Sequence, residues 1–155
     1  ASPRVAAWAT RRLVPKVLVA TQTRVVEAAV DAEGDVVPVT PLISVEPHPG
    51  VDPWMVAAAL LAPPVSVSAL ASHLGLGLSP GTLRWSASAV LDQPLPADRE
   101  LWEAAAERCR ALAAAEPERR GELLVELGGL LCRAHGMEPD GAAHRWWVQR
   151  LGRRR

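Results

Sequence analysis

Few residues in this sequence have the types and spacing to do chemistry. Cys132-x-x-His135, with Cys109 upstream, offers thiolate and imidazole donors. A structural zinc site takes four ligands in paired short spacings, and one such pair is present. Both cysteines also fall on apolar stripes of helical segments, where a thiol packs as a small hydrophobe. His48 and His144 have no serine, cysteine or carboxylate spaced to form a nucleophile–base pair, and no Gly-x-Ser-x-Gly occurs. Gly75-x-Gly77-x-x-x-Gly81 has the glycines of a phosphate loop without its context. It follows a predicted helix rather than a strand, lacks the Gly-Lys-Ser/Thr ending, and carries Pro80 where a donating N–H is needed. The sequence therefore predicts no catalysis, no bound cofactor and no metal site within this chain.

Binding chemistry is better represented. The first 24 residues hold Arg4, Arg11, Arg12, Lys16 and Arg24 and no acidic residue. Next to this run lies Thr21-Gln22-Thr23-Arg24. Glutamine pairs bidentately with adenine and arginine with guanine, and hydroxyls and guanidinium groups also bond phosphates. Gln22 and Arg24 are thus candidate contacts; the plainer reading of the same run is a turn between two strands with a solvated arginine. A second polar cluster, Ser79, Thr82, Arg84 and Ser86, surrounds the glycine-rich loop. The carboxylates Asp31, Glu33 and Asp35 argue against nucleic acid at their end of the strand, so a duplex would lie at the Gln22 end. Arg153-Arg154-Arg155 reads as a solvated tail.

The elements that must position these residues follow from patterning. The chain has 155 residues, 49% hydrophobic and 22% charged, a globular composition with basic and acidic residues in balance. The charge balance gives no sign of a membrane or nucleic-acid partner. Two cysteines are too few for a disulfide framework, the apolar stretch Met55 to Ala62 is far short of a membrane span, and no signal peptide opens the chain. A soluble cytoplasmic protein is expected. The start Ala-Ser-Pro fits a piece cut from a longer protein.

Lys16 to Ala20 is apolar on both faces, which suits a buried strand. A second strand is predicted over 24–31, a hairpin turn at Ala32-Glu33-Gly34-Asp35, and a continuation through Val36-Val37 and Leu42 to Val45 interrupted by Pro38 and Pro41. Asp52-Pro53 starts a helix that Pro63-Pro64 ends; a second helix covers Val65 to His73. Thr82 to Trp85 forms a short strand or turn and Ser86 to Leu91 a short helix. Asp98, Pro117 and Asp140 open three helices, with Leu123, Leu124, Leu127, Leu130 and Leu131 forming an amphipathic stripe. The expected class is α+β: a small antiparallel or mixed sheet with packed helices over 1–97, then a helical subdomain of about three helices, 98–155, packed on it.

In this order the segments resemble the opening of a TaqI-like C-terminal specificity domain, the target-recognition part of adenine-specific DNA methyltransferases of restriction-modification and phage-defence systems. The resemblance is carried by Lys16-Val17-Leu18-Val19-Ala20-Thr21-Gln22-Thr23-Arg24, Glu27 to Asp31, Gly34 and Leu42-Ile43-Ser44-Val45. It continues through Met55 to Ala62 and Leu91-Asp92-Gln93-Pro94-Leu95-Pro96, and covers roughly residues 14 to 97. It implies recognition of double-stranded DNA by Lys16, Gln22, Thr23, Arg24, Ser79, Thr82 and Arg84. The methylase signature, Asp, Asn or Ser before Pro-Pro and an aromatic after it, has no counterpart: Ala62-Pro63-Pro64-Val65 is the one Pro-Pro and the chain has no Phe or Tyr. The catalytic domain and its S-adenosylmethionine would belong to the parent, and that domain would be a partner of this one. The alternative expectation is a protein-interaction or scaffold module docking through its C-terminal helices with Trp146-Trp147 as anchors.

Overall fold

The Lys16–Ala20 run forms β1, and its two apolar faces are explained by its place at the centre of a sheet. The computed structural model describes residues 2–72 and 82–151. β2 is Gln22–Thr23, β3 Ala28–Asp31 and β4 Leu42–Val45. β3 and β4 flank β1 on opposite sides, both antiparallel, in the order β3-β1-β4, with Val17 opposite Val30 and Val45. Val17 and Val19 point into the core.

The structure departs from the expected hairpin at 32–37. Val36-Val37 form no strand, because the N–H groups of Gly34, Asp35 and Val36 all donate to the Asp31 carboxylate instead of a ladder. The chain then crosses to the far edge of β1. Gly34 is required at this turn: its φ is +73°, and a Cβ there would stand 2.5 Å from the Val14 carbonyl carbon. The strand expected over 24–31 is likewise shorter. Residues 24–27 leave the ladder, although Val25 and Val26 are still buried.

The helices are set by local caps. α2, Pro53–Leu61, starts where Asp52 accepts the Trp54 N–H at 2.9 Å, with proline at the first position. α3, Pro63–Ser72, begins two residues earlier than predicted, since proline needs no N–H partner in a first turn. β5 is Leu83–Arg84, and α4, Ala87–Leu91, is capped by Ser86. α5, Arg99–Ala114, is capped by Asp98; α6, Pro117–Ala134, closes at Gly136 in a Schellman pairing, Met137 N–H to Cys132 O. α7 is Ala142–Leu151. Asp140 does not cap it: Gly141 precedes the helix and its carbonyl takes the Arg145 N–H.

An unpredicted helix, Pro3–Thr10, precedes the sheet and is α1. It buries no residue, so no apolar stripe announces it; Ser2 caps it and Arg12 stacks on Trp8, 4.3 Å from the ring centroid.

One apolar core joins the layers. It contains Val17 and Val19 from β1, Ala58 and Leu60 from α2, Val65 from α3, Trp85, Ala105 and Cys109 from α5, and Leu127 and Leu131 from α6. Polar contacts cross the same junction: Trp102 Nε1 donates to Met55 O at 2.7 Å, and Arg110 pairs with Asp52. α7 approaches α6 at Gly128, where a Cβ would meet the Trp147 ring at 2.8 Å. The class is α+β with a helical carboxyl-terminal segment. Among the described residues no single helix is long and apolar enough to cross a membrane. α2 and α3 together reach that length with a 62° bend, and both carry buried core positions.

Candidate nucleic-acid interface

Segment 21–27 links the end of β1 to the start of β3, at the end of the sheet away from the 32–35 turn. Its backbone is tied down on several sides. Gln22 lies directly opposite Arg84 and Thr23 opposite Leu83 in the β2–β5 ribbon, and Trp85 N–H donates to Thr21 O. The Thr21 N–H and hydroxyl both donate to Pro41 O, at 3.1 and 2.8 Å. Thr23 Oγ1 donates to Val25 O, and Ala20 N–H to Glu27 O. On the inner side Val26 N–H donates at 2.9 Å to Oγ of Ser66, a fully buried α3 residue.

Directly opposed residues of an antiparallel pair project from the same face. Gln22 and Arg84, distant in sequence, therefore stand side by side, and both are exposed. Arg24, also exposed, follows two residues later. Thr23 and Thr82 are half-buried. An amide that donates and accepts thus stands beside a guanidinium fork on an ordered backbone, an arrangement able to bond planar, edge-on groups and anions. Glu27 is the carboxylate nearest in sequence and is exposed.

Lys16 does not belong to this surface. It is fully buried at the opposite end of β1, where Nζ donates to Val14 O and pairs with Asp31. The same pairing corrects the expectation for Asp31, which is internal and neutralised, leaving Glu33 and Asp35 exposed at that turn. Burial acts to raise the Asp31 carboxyl; hydrogen bonds from Lys16, Val36 N–H and Asp35 N–H, with the Lys16 charge, carry it below the ordinary value of 3.8. Arg4 lies on α1 and Arg11 and Arg12 just after it, ahead of the Lys16 end of β1, so the basic run of the first 24 residues is divided and only Arg24 reaches the ribbon. Ser79 lies outside the described residues, as do the glycine-rich loop and Arg153 to Arg155.

The other candidates resolve simply. Cys109 and Cys132 are buried, which pushes their thiols up to about 12 and about 11, and burial pushes the His135 imidazole down. Neither cysteine is a thiolate near neutrality. Among the described residues no group of three His, Cys, Asp or Glu could hold a metal ion. Trp147 is buried in the core, 1% exposed, and stacks on His144, so it cannot anchor a partner.

Sequence reasoning missed two residues that shape this end of the molecule. Ser66 carries no motif, and its role appears only once α3 packs against segment 21–27. Ser66→Ala should orphan the buried Val26 N–H and cost about 1–3 kcal/mol of stability. Chemical denaturation checks this; an unchanged midpoint would show that the serine does not brace the segment. Arg150 of α7 is the second: its Nη1 reaches Arg24 O at 3.4 Å. Compared with known proteins, the chain matches no family model and no curated protein.

Proposed function

We propose that this chain is a DNA target-recognition module, the specificity part of an adenine-specific DNA methyltransferase of a restriction-modification or phage-defence system, without the catalytic domain. The observation that carries the proposal is the cross-strand placement of Gln22 beside Arg84. Arginine reads guanine and glutamine reads adenine through paired hydrogen bonds in the major groove, and a two-stranded ribbon is narrow enough to enter it. Arg24 stands next to them as a phosphate or base contact. The ties described above hold the backbone that carries these side chains before DNA arrives, which lowers the ordering cost of binding.

The order of segments over residues 14 to 97 supports the same reading through its resemblance to TaqI-like specificity domains. Methyl transfer and S-adenosylmethionine then belong to a catalytic domain of the parent, which with double-stranded DNA is the second partner. The working compartment is the cytoplasm. The scaffold alternative, docking through the C-terminal helices, is weakened by the burial of Trp147.

Fluorescence anisotropy with short duplexes tests the proposal. Binding should be detectable at about 50 mM salt and weaken steeply toward 200 mM, the logarithm of affinity falling with log salt by about 0.9 per phosphate neutralised. Absence of binding at the lower salt to any member of a randomised duplex pool would refute it.

A further inference from the structure

A groove of about 330 Å³ lies along α6, between the second half of α5 and the turn that leads into α7. Four of its lining residues, Glu126, Gly129, Leu130 and Arg133, are spaced i, i+3, i+4, i+7 and so share one face of α6. Arg108 joins them from α5 and Pro139 from the turn. Glycine is unfavourable inside a helix, yet Gly129 stands in the middle of this one. A Cβ there would lie 3.3 Å from the Pro139 carbonyl oxygen, so the missing side chain lets the turn come down as a wall of the groove.

The lining combines a carbon surface, Gly129, Leu130 and Pro139, with two guanidinium groups and one carboxylate. Arg108 and Glu126 oppose each other at 3.6 Å, both more than half exposed and beyond hydrogen-bond reach. Among the described residues the Arg133 side chain has no hydrogen bond or ion pair. A cation in the last turn of a helix commonly takes its final carbonyls, but those of α6 are already occupied. His135 N–H donates to the Leu131 and Cys132 carbonyls, Gly136 N–H to that of Arg133, and the Ala97 and Asp98 N–H groups to that of Ala134. The Arg133 guanidinium is thus left without a task in the fold, beside an apolar hollow.

We propose that this groove binds a small monocarboxylic acid with an apolar body. The carboxylate pairs with the Arg133 guanidinium, and the hydrocarbon lies on Leu130 and Pro139. A mostly apolar hollow of this size with a few placed polar groups suits a small molecule. Two cations against one anion, over carbon of low dielectric, favour one negative charge on the ligand. Glu126 disfavours a second. The proposal is independent of the DNA reading, since none of these residues belongs to segment 21–27 or to the β2–β5 ribbon.

The test titrates hexanoate into the full chain and follows the backbone amide NMR shifts of Gly129 and Arg133. Saturable shifts with a Kd of about 1–10 mM are expected. Hexanamide, which keeps the body and loses the charge, should bind at least about fivefold more weakly. Acetate, which keeps the charge and loses the body, should bind at least about tenfold more weakly. Arg133→Gln should weaken hexanoate by about fivefold or more. Glu126→Gln should act in the opposite direction, tightening it about two- to threefold, because a like charge near the ligand is gone. Both positions are exposed, so the fold should survive, and the opposed signs distinguish a charge effect from a loosened helix. No saturable shift at either amide, equal binding of hexanoate with hexanamide or with acetate, or variants that leave the affinity unchanged or move it the same way would each overturn the site.

Discussion

Arg24→Ala combined with Arg84→Ala is expected to lower duplex affinity by at least about 30-fold. Each arginine that meets a base edge or phosphate is worth about 1–3 kcal/mol, so the two contacts together remove about 2–6 kcal/mol. The fold should survive, because both side chains are exposed and the ribbon is held by main-chain bonds. Arg119→Ala combined with Arg120→Ala, an equal change in charge at exposed α6 positions, is the control and should alter affinity by less than about threefold, as expected for distant charges screened by salt. Finer variants separate roles. Arg84→Lys keeps the charge and loses the bidentate fork, so it should relax preference at one base pair while sparing the salt slope. Gln22→Ala should do the same at the neighbouring pair. Equal affinities for the double variant and the control would remove DNA from this surface.

The second large effect lies at the other end of β1. Asp31→Ala should destabilise the protein by about 3–5 kcal/mol or more, the usual result of stripping one partner from a buried ion pair. The substitution leaves the Lys16 ammonium buried against a single carbonyl, and it also removes the acceptor of three turn N–H groups. Lys16→Met should cost less, since Asp31 keeps those three donors. The pair also fixes a direction for acid sensitivity. The Asp31 carboxyl is held below 3.8, so its contribution is complete above that value and is lost as pH falls through the lower, folded-state value. Denaturant midpoints should therefore decline below about pH 4 in wild type and decline less steeply in Asp31→Asn. A wild-type stability that stays flat across that window would show that the pair contributes nothing net.

Local signals in the sequence were easy to read and non-local ones were not. Asp52-Pro53, Ser86 and Asp98 each satisfy helix N–H groups within three residues, so α2, α4 and α5 could be started correctly from the chain alone. The apolar run within Lys16–Ala20 likewise marked a buried strand. Ser2-Pro3 carries a similar cap, but α1 faces solvent all round, and without a stripe to bury the signal does not stand out. The juxtaposition of Gln22 with Arg84 depends on how two distant segments pair. Each residue could be picked out by chemical type; their adjacency could not. Asp31 and Lys16 were misplaced because a charged side chain reads as solvated until its buried partner is known. Trp147 was misjudged similarly: its burial depends on the absence of a side chain at Gly128, on another helix.

The ties on segment 21–26 have a further consequence. Apart from the Thr21 and Thr23 hydroxyls, they run through peptide groups and through Ser66, and none of those described uses the side chain of Gln22 or Arg84. What holds the loop is thus chemically separate from what it displays. Substitutions at those two positions change the displayed groups while the loop keeps its shape, so one scaffold could be retargeted from one nucleotide sequence to another by exchanging a pair of letters.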